Sequence, residues 1–354
     1  MKIAFITEYT EIGGGESNLI SLACELNKRA NVTIFCSGRV KKLAEEKGLS
    51  TIEFKTGKKW FKSLPLLNYN KALLKELDKF NIVHAYSVNT LPSIFFCRSK
   101  KIWTVHGFWE RPFGLKGFFI DKMVDKVICV STDVCKVASF NKQKKIKIFL
   151  GTSIECKEKN KVCKFDINNI MISCIGRFQY IKGQDLLIDA LVSLSKEINS
   201  KITLRFIGDV NGNNIEDYKY KESVLLKAKA ASSVNLEILF EGFANDVSKY
   251  IKNSDFIVIP SRYESFSMVA IESLGCGKPV VAPNIGGPVD IVKSKKVGLL
   301  FEPGDKEDLK RKIKDAIYNF FIFDSEACRN VAKEFSVVNQ AEKHLVLYQS
   351  LFND

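Results

Sequence analysis

At 354 residues, with 46% hydrophobic and 27% charged side chains, the chain is long enough for two domains with sizeable cores. No apolar run approaches the ~20 residues that a membrane-spanning helix needs, and the opening "MKIAFITEYTEIGGG" lacks the long apolar stretch of a signal peptide. The formal net charge of +14 is lopsided: residues 1–150 carry 26 Lys and Arg against 13 Asp and Glu, whereas 151–354 carry 28 against 27. The first half therefore either meets something anionic or presents a solvated basic surface.

In chain order, "KIAFIT" (2–7) reads as a strand, and a helix follows from Gly14 to about Arg29 with Leu19, Leu22, Ala23 and Leu26 on one face. Further strands are expected at "VTIFCS" (32–37), "IVHAYS" (82–87), "IWTVHG" (102–107), "VICVS" (127–131) and "IKIFLG" (146–151), with helical patterns at 70–80 and 113–124 between them. Runs rich in Val and Ile without alternation suit parallel strands covered on both faces. A polar, lysine-rich stretch at 155–169 reads as a linker between domains 1–154 and 170–337. The pattern then restarts with strands at 170–176, 202–208, 236–242, 256–261, 279–284 and 298–303, and an apolar helix over 338–352 has no strand after it. The expected fold class is α/β, with two Rossmann-like doubly wound domains facing across a cleft. The ten cysteines form no CxxC pair and read as reduced thiols of a cytosolic protein, neither a disulfide framework nor a zinc site.

Ligands of doubly wound sheets bind at the carboxyl ends of the strands, so the strand-to-helix turns carry the candidate chemistry. "TEIGGGES" (10–17) is one such turn. Its glycines let backbone N–H groups approach an anion, or serve only to make a tight turn; it is not the GxGxxG fingerprint. "IGRFQYIKGQDLLIDAL" (175–191) places Arg177 at a strand end and Lys182 just before a helix, two cations suited to a diphosphate. In "YESFSMVAIESLGCGKP" (263–279), Glu264 and Glu272 stand eight positions apart. On a single helix that spacing rises about 12 Å. Paired glycosidase carboxyls sit at about 5–9.5 Å, so the spacing disfavours a hydrolytic pair. The helix is expected to begin at Ser267, with Glu264 in the loop before it and Glu272 a turn and a half inside. The two carboxylates then grip separate parts of one elongated ligand, with the free N–H groups of the helix start between them.

Taken in order, the glycine turn Gly13–Glu16, "TVHG" (104–107), "GRFQYIKG" (176–183), "EGFANDV" (241–247), the Glu264-x7-Glu272 element, "GCGKPVVAPNIGGPVDIV" (275–292) and "GLLFEPGD" (298–305) make the chain resemble a family-4 retaining glycosyltransferase of the GT-B fold over nearly its whole length. The resemblance implies catalytic roles for His106, Glu264, Arg177 and Lys182. It implies a donor-binding set of Gly14, Gly15, Arg177, Lys182, Gly208, Phe243, Glu264, Ser267, Met268 and Glu272. Glu16 and His106 fall on the acceptor side. Arg177 and Lys182 would take the donor diphosphate, Glu272 the nucleotide ribose, Glu264 the donor-sugar hydroxyls, and the backbone of Ser267 and Met268 the phosphate. The final helix, 338–354, would pack back on the first domain. Two departures stand out: Leu150-Gly151 replaces the family's Asn-Gly pair, and Ser267 stands where glycine is common.

The activity implied is transfer of a sugar from a nucleotide diphosphate, a UDP-sugar in preference to a GDP-sugar, to a hydroxyl of a saccharide or lipid-linked saccharide in surface polysaccharide assembly. No cofactor is expected, and with no DxD in the sequence no metal requirement is expected either. Lysines beside aromatics in 57–80 and 113–126 suit an anionic membrane surface, so a cytoplasmic enzyme peripheral on the inner face of the membrane is anticipated. The same stretches also fit core aromatics with exposed lysines. A sugar-nucleotide epimerase of the same fold is the nearest rival. A basic nucleic-acid-binding protein is the more distant one, disfavoured because no nucleic-acid motif accompanies the charge.

Overall fold

The computed structural model describes residues 1–55, 70–107, 120–137, 141–153, 165–231 and 235–352. The chain divides into two units, Met1–Ser153 with Phe335–Asp354, and Ile154–Glu334. The linker residues 155–164, most of the lysine-aromatic stretch 57–80 and the first part of 113–126 lie outside the described residues.

In the first unit, β1 (Lys2–Ile6), β2 (Asn31–Cys36), β3 (Ser50–Glu53), β4 (Ile82–Ala85), β5 (Lys100–Val105), β6 (Lys126–Cys129) and β7 (Lys145–Lys147) form a seven-stranded sheet in the order β3-β2-β1-β4-β5-β6-β7. Every pairing is parallel, with Ile3 opposite both Val32 and Ile82. Ile3, Ala4, Phe5 and Ile6 are all fully buried, as an unbroken apolar strand covered on both faces requires. Helix α1 (Gly14–Leu26) lays Leu19, Leu22, Ala23 and Leu26 into this core, each side chain fully buried.

In the second unit, β8 (Asn169–Ile175), β9 (Lys201–Ile207), β10 (Leu236–Gly242), β11 (Phe256–Val258), β12 (Val280–Pro283) and β13 (Gly298–Phe301) form a six-stranded parallel sheet in the order β10-β9-β8-β11-β12-β13. Helix α2 (Gln184–Ser195) buries Leu187, Ile188, Ala190, Leu191 and Leu194 against it. Helices α3 (Ile215–Ala231) and α4 (Met268–Gly275) follow β9 and β11.

Helix α5 (Val337–Ser350) belongs to the first unit and packs on α1. Its Val337, Ala341, Leu347 and Tyr348 join the core of β1, β2 and α1. A buried amide network fixes the contact. The Asn18 amide donates to the Gly151 carbonyl and to Gln340 Oε1, each at 2.8 Å, and the Gly151 N–H donates to the same Gln340 oxygen at 2.8 Å. Such a satisfied network dictates one seating for the helix, because breaking any member would leave a buried polar atom unpaired. A side chain at Gly151 would come within 2.6 Å of the Ser336 carbonyl, so the Leu150-Gly151 corner owes its glycine to α5.

Several elements differ from expectation for definable reasons. β3 has no counterpart in the sequence reading: it is a four-residue edge strand with polar ends, too short and too exposed to show a pattern. The run 256–261 ends as strand at Val258, two residues before Pro260. Helix α3 buries Val224 and Ala228 in the core but leaves Tyr218, Leu225 and Leu226 exposed, so its larger apolar residues do not mark the buried face. Cys276 corrects the expectation of reduced thiols throughout, since it is disulfide-bonded. Cys24, Cys36, Cys97, Cys129, Cys135, Cys174 and Cys328 are free.

Candidate active site

Each sheet has one place where the strand order reverses, and there the loops leaving adjacent strands diverge to open a crevice. In the second unit that place lies between β8 and β11. The turn after β8 carries Arg177 and Lys182, and the loop after β11 carries Glu264. The structure joins two of these residues, 82 positions apart: Lys182 Nζ donates to both Glu264 oxygens, at 2.8 and 3.1 Å. Ser261 Oγ donates to the same carboxylate at 2.9 Å. Glu264 is buried, with 8% of its surface exposed, and these donors satisfy its oxygens there. Arg177 is exposed at the mouth of the turn, and among the described residues its guanidinium has no hydrogen-bonding or ionic partner.

A second ion pair holds this arrangement. Arg262 donates to the Tyr180 carbonyl at 2.7 Å and forks onto both oxygens of Asp185 at 2.9 and 2.8 Å. Its guanidinium stacks over the Tyr180 ring at 3.9 Å, and its backbone N–H bonds the Ile181 carbonyl at 2.8 Å. Burial alone would push the Asp185 carboxyl up, but hydrogen bonds from Arg262 and Tyr220 and the Arg262 charge hold it below its usual range. The Lys182 turn is thereby clamped to the Glu264 loop. Sequence reasoning missed both Arg262 and Asp185. The available signal was an arginine directly after "IPS", on the same strand end as Glu264.

Helix α4 starts at Met268 after Ser267, whose φ of 80° and ψ of 85° place it in the left-handed region. Among the described residues it is the one non-glycine with positive φ. That conformation strains a serine by about 1–3 kcal/mol, which explains why glycine suits the position. The loop after β12 presses on the segment before α4: a Cβ on Gly286 would fall 1.7 Å from the Glu264 carbonyl, and Gly286 itself has φ 66°. Only glycine permits this approach, which holds the Glu264 backbone in place.

Glu272 lies in the second turn of α4, half-buried, and among the described residues its carboxyl has no hydrogen-bond or ionic partner. Burial alone pushes it up to about 7. A carboxyl held without a partner in a dry setting is poised for a ligand that supplies hydrogen-bond donors. Gly208, at the end of β9, has φ 143°, and a Cβ there would meet the Gly176 carbonyl at 2.0 Å. Phe243 is exposed on the loop after β10.

In the first unit, Gly14 and Gly15 form the first turn of α1, and Glu16 reaches back to accept the Gly13 N–H at 2.9 Å. The glycine turn after β1 lies beside the end of β5, where a Cβ on Gly15 would stand 3.8 Å from the His106 ring. His106 also packs on the Tyr86 ring, centroids 4.9 Å apart. Burial lowers its pKa to about 4, so the imidazole is neutral at pH 7. His84 and His344, without a motif in the sequence, are structural. His84 bonds Tyr348 and Thr104 at 2.7 Å each, and the Nδ1 of His344 bonds the Gln340 carbonyl at 2.8 Å.

Residues 156–334, just over half the chain, match the family model described as glycosyl transferases group 1. The chain belongs to that family. Residues 12–143 of this group 1 glycosyltransferase match a second model, glycosyltransferase family 4. An uncharacterised glycosyltransferase of Methanocaldococcus jannaschii is 33% identical over 196 residues, covering 55% of this chain and 50% of that protein. A D-inositol 3-phosphate glycosyltransferase of Jonesia denitrificans is 33% identical over 127 residues, covering 35% of this chain and 29% of that one. The chain thus aligns with half or less of the length of these curated relatives. Among solved structures, HepE of Anabaena in complex with UDP and glucose superposes with a TM-score of 0.79 at 22% identity, covering 99% of this chain and 100% of that one. A glycosyltransferase of Rickettsia africae superposes with a TM-score of 0.83 at 21% identity, covering 100% of this chain and 99% of that one. At that identity the likeness establishes the fold, which is GT-B.

Proposed function

We propose that this group 1 protein is a retaining glycosyltransferase that moves a sugar from a nucleotide-diphosphate sugar to a hydroxyl of a saccharide or lipid-linked saccharide. The observation that carries the reading is the Lys182–Glu264 pair in the crevice between β8 and β11. An ammonium has three donors, and two contacts to Glu264 leave one for a phosphate oxygen. Lys182 therefore joins a group that takes sugar hydroxyls, Glu264, to one that takes the diphosphate. Arg177, exposed on the same turn, adds a second cation. The first turn of α4, at Ser267 and Met268, adds free backbone N–H groups. Glu272, without a partner among the described residues, supplies a carboxyl for the ribose hydroxyls.

The departing diphosphate is stabilised by Arg177, Lys182 and the α4 N-terminus, a preorganised field that needs no metal in this reading. The leaving phosphate oxygen takes the proton of the attacking hydroxyl on the same face of the sugar, which retains the anomeric configuration. His106, neutral and packed on Tyr86, acts in this reading as a hydrogen-bonding imidazole rather than as a cation. A uridine nucleotide is favoured over a guanosine one because HepE, similar in fold, was solved with UDP and with UDP-glucose. The basic excess of residues 1–150 supports peripheral attachment to an anionic membrane and a role in surface polysaccharide assembly. No helix among the described residues is long and apolar enough to cross a membrane.

The test is a thermal-shift and turnover panel of UDP-glucose, UDP-galactose, UDP-N-acetylglucosamine and GDP-mannose, with EDTA present. A UDP-sugar should raise the Tm and release UDP without added metal. Absence of stabilisation by every nucleotide sugar would refute the reading. Flotation with anionic and with neutral vesicles tests the membrane surface separately.

A further inference from the structure

Helix α3 holds the turn after β8 on both sides of Lys182. Three residues before Lys182, the Gln179 side-chain amide donates to Asp217 Oδ2 at 2.8 Å. Three residues after it, the Tyr220 hydroxyl donates to Asp185 Oδ1 at 2.6 Å and accepts the Asp185 backbone N–H at 3.2 Å. Asp217 and Tyr220 stand three positions apart on α3, so they share one face of that helix. A third tie lies beside them. Lys221 donates to Asp209 Oδ1 at 2.6 Å, and the Phe178 N–H bonds the Asp209 carbonyl at 3.2 Å. Arg262 reaches the same Asp185 oxygen as Tyr220, at 2.9 Å, so α3 and the loop after β11 are joined through the turn.

These are polar groups in a setting that packing alone would fill with apolar ones. Asp217 is buried, and a buried carboxylate is unfavourable unless donors meet it. Tyr220 is half-buried; burial and then the Asp185 carboxylate push its phenol up, so the hydroxyl keeps its proton and stays a donor. The Asp185 N–H belongs to the first turn of α2, where backbone donors lack helical partners, and the Tyr220 oxygen takes it up. Contact with the core needs only volume, which Val224 and Ala228 of the same helix supply. Hydrogen bonds also fix direction. Within the turn, the Lys182 N–H bonds the Gln179 carbonyl at 2.8 Å, and a Cβ on Gly183, at φ 69°, would fall 2.1 Å from the Pro260 carbonyl. The backbone from Gln179 to Asp185 is therefore held at both ends and in the middle.

We propose that Asp217 and Tyr220 are positioning residues, which from α3 fix the turn that carries Lys182. That the turn is fixed for a diphosphate rests on the transferase reading above; the bracing itself does not. Neither residue touches the ligand: Asp217 acts through Gln179 and Tyr220 through Asp185. Lys182 gives two contacts to Glu264, so its remaining N–H points in one direction only. A shift of the turn by about 1 Å misdirects that N–H and weakens its bond to a phosphate oxygen. A nucleoside, which has no phosphate, does not sense the brace.

The experiment compares the wild-type chain with Tyr220→Phe, Asp217→Leu and Asp217→Asn. Hydrogen exchange over residues 178–186 is followed by mass spectrometry without ligand, and the affinities of UDP and of uridine are measured by NMR titration. Tyr220→Phe and Asp217→Leu should speed exchange over 178–186 about tenfold, with residues 187–195 of α2 at the wild-type rate. Both should weaken UDP about tenfold and leave uridine unchanged. Asp217→Asn keeps an oxygen for the Gln179 amide and should restore wild-type exchange and UDP affinity. A helix that served packing alone would move UDP and uridine together. Thermal unfolding checks that each variant is folded, and Tyr220→Phe, which removes one hydroxyl, carries the test if Asp217→Leu does not fold. Wild-type exchange over 178–186 in folded Tyr220→Phe overturns the proposal, as does an unchanged ratio of UDP to uridine affinity in that variant. A wild type that does not bind UDP removes the transferase reading instead, and exchange over 178–186 then decides the brace by itself.

Discussion

Glu272 offers a quantitative handle on the donor site. Its carboxyl is half-buried and without a partner among the described residues, and burial raises it to about 7. If the ionised form receives the ribose hydroxyls, donor affinity follows the ionised fraction. That fraction is about one-tenth at pH 6 and about nine-tenths at pH 8, so affinity should rise about tenfold from pH 6 to pH 8. UDP-glucose is the ligand of choice, because its diphosphate diester gains no proton in this range and cannot mimic the effect. Calorimetric titrations at half-unit pH steps should trace a single titration near 7. Glu272→Gln should bind at a level independent of pH. The sign for the unliganded protein is the opposite. A carboxyl raised above its unfolded value contributes stability below about 4.5 that is lost as pH rises through about 7. Unliganded Tm should therefore decline over that window in the wild type and less so in Glu272→Gln. A flat affinity profile in a folded wild-type protein, or the same titration in Glu272→Gln, would refute the assignment.

Three further outcomes are expected. Lys182→Ala and Arg177→Ala should each lower turnover about 10²–10³-fold with the protein still folded, and wild-type turnover in both would remove them from the diphosphate site. Arg262→Ala deletes the fork to Asp185 and the bond to the Tyr180 carbonyl, and should cost about 2–3 kcal/mol in urea unfolding. Arg262→Lys should restore only part of that, because an ammonium cannot fork onto both oxygens with the same geometry. Finally, His344 is buried and neutral, lowered from 6.5 to about 4, so the unfolded chain binds its proton first as pH falls. At pH 5 this residue alone should remove about 2 kcal/mol of the stability measured at pH 7, and His344→Gln should flatten part of the decline.

The glycine turn, the two cations after β8 and both glutamates could be located from residue types and strand ends alone, because a turn at a strand's carboxyl end is a local property. So could the long apolar strands and α1, whose periodicity is set by burial on one face. The start of α4 at Ser267 was also legible, although the left-handed φ that makes serine a strained choice there was not. Edge strand β3 escaped because it is short and polar at its ends, and helix α3 because Tyr218, Leu225 and Leu226 face outward while smaller Val224 and Ala228 carry its buried face.

What the linear order determined, then, is the class of fold, the family and the inventory of chemically competent side chains. Only the tertiary structure decided which of them meet. Lys182 finds Glu264 across 82 positions, Arg262 finds Asp185 across 77, and Glu8 finds Asn89 across 81. Each meeting spans a strand reversal or a crossover whose partner strand is chosen by packing of whole sheets, which no local pattern encodes. The same holds for α5, whose seat on α1 is fixed by the buried amides of Asn18 and Gln340, 322 residues apart. Burial likewise sets Glu272 at about 7 and His106 at about 4, because the dielectric around a side chain is a property of everything packed against it.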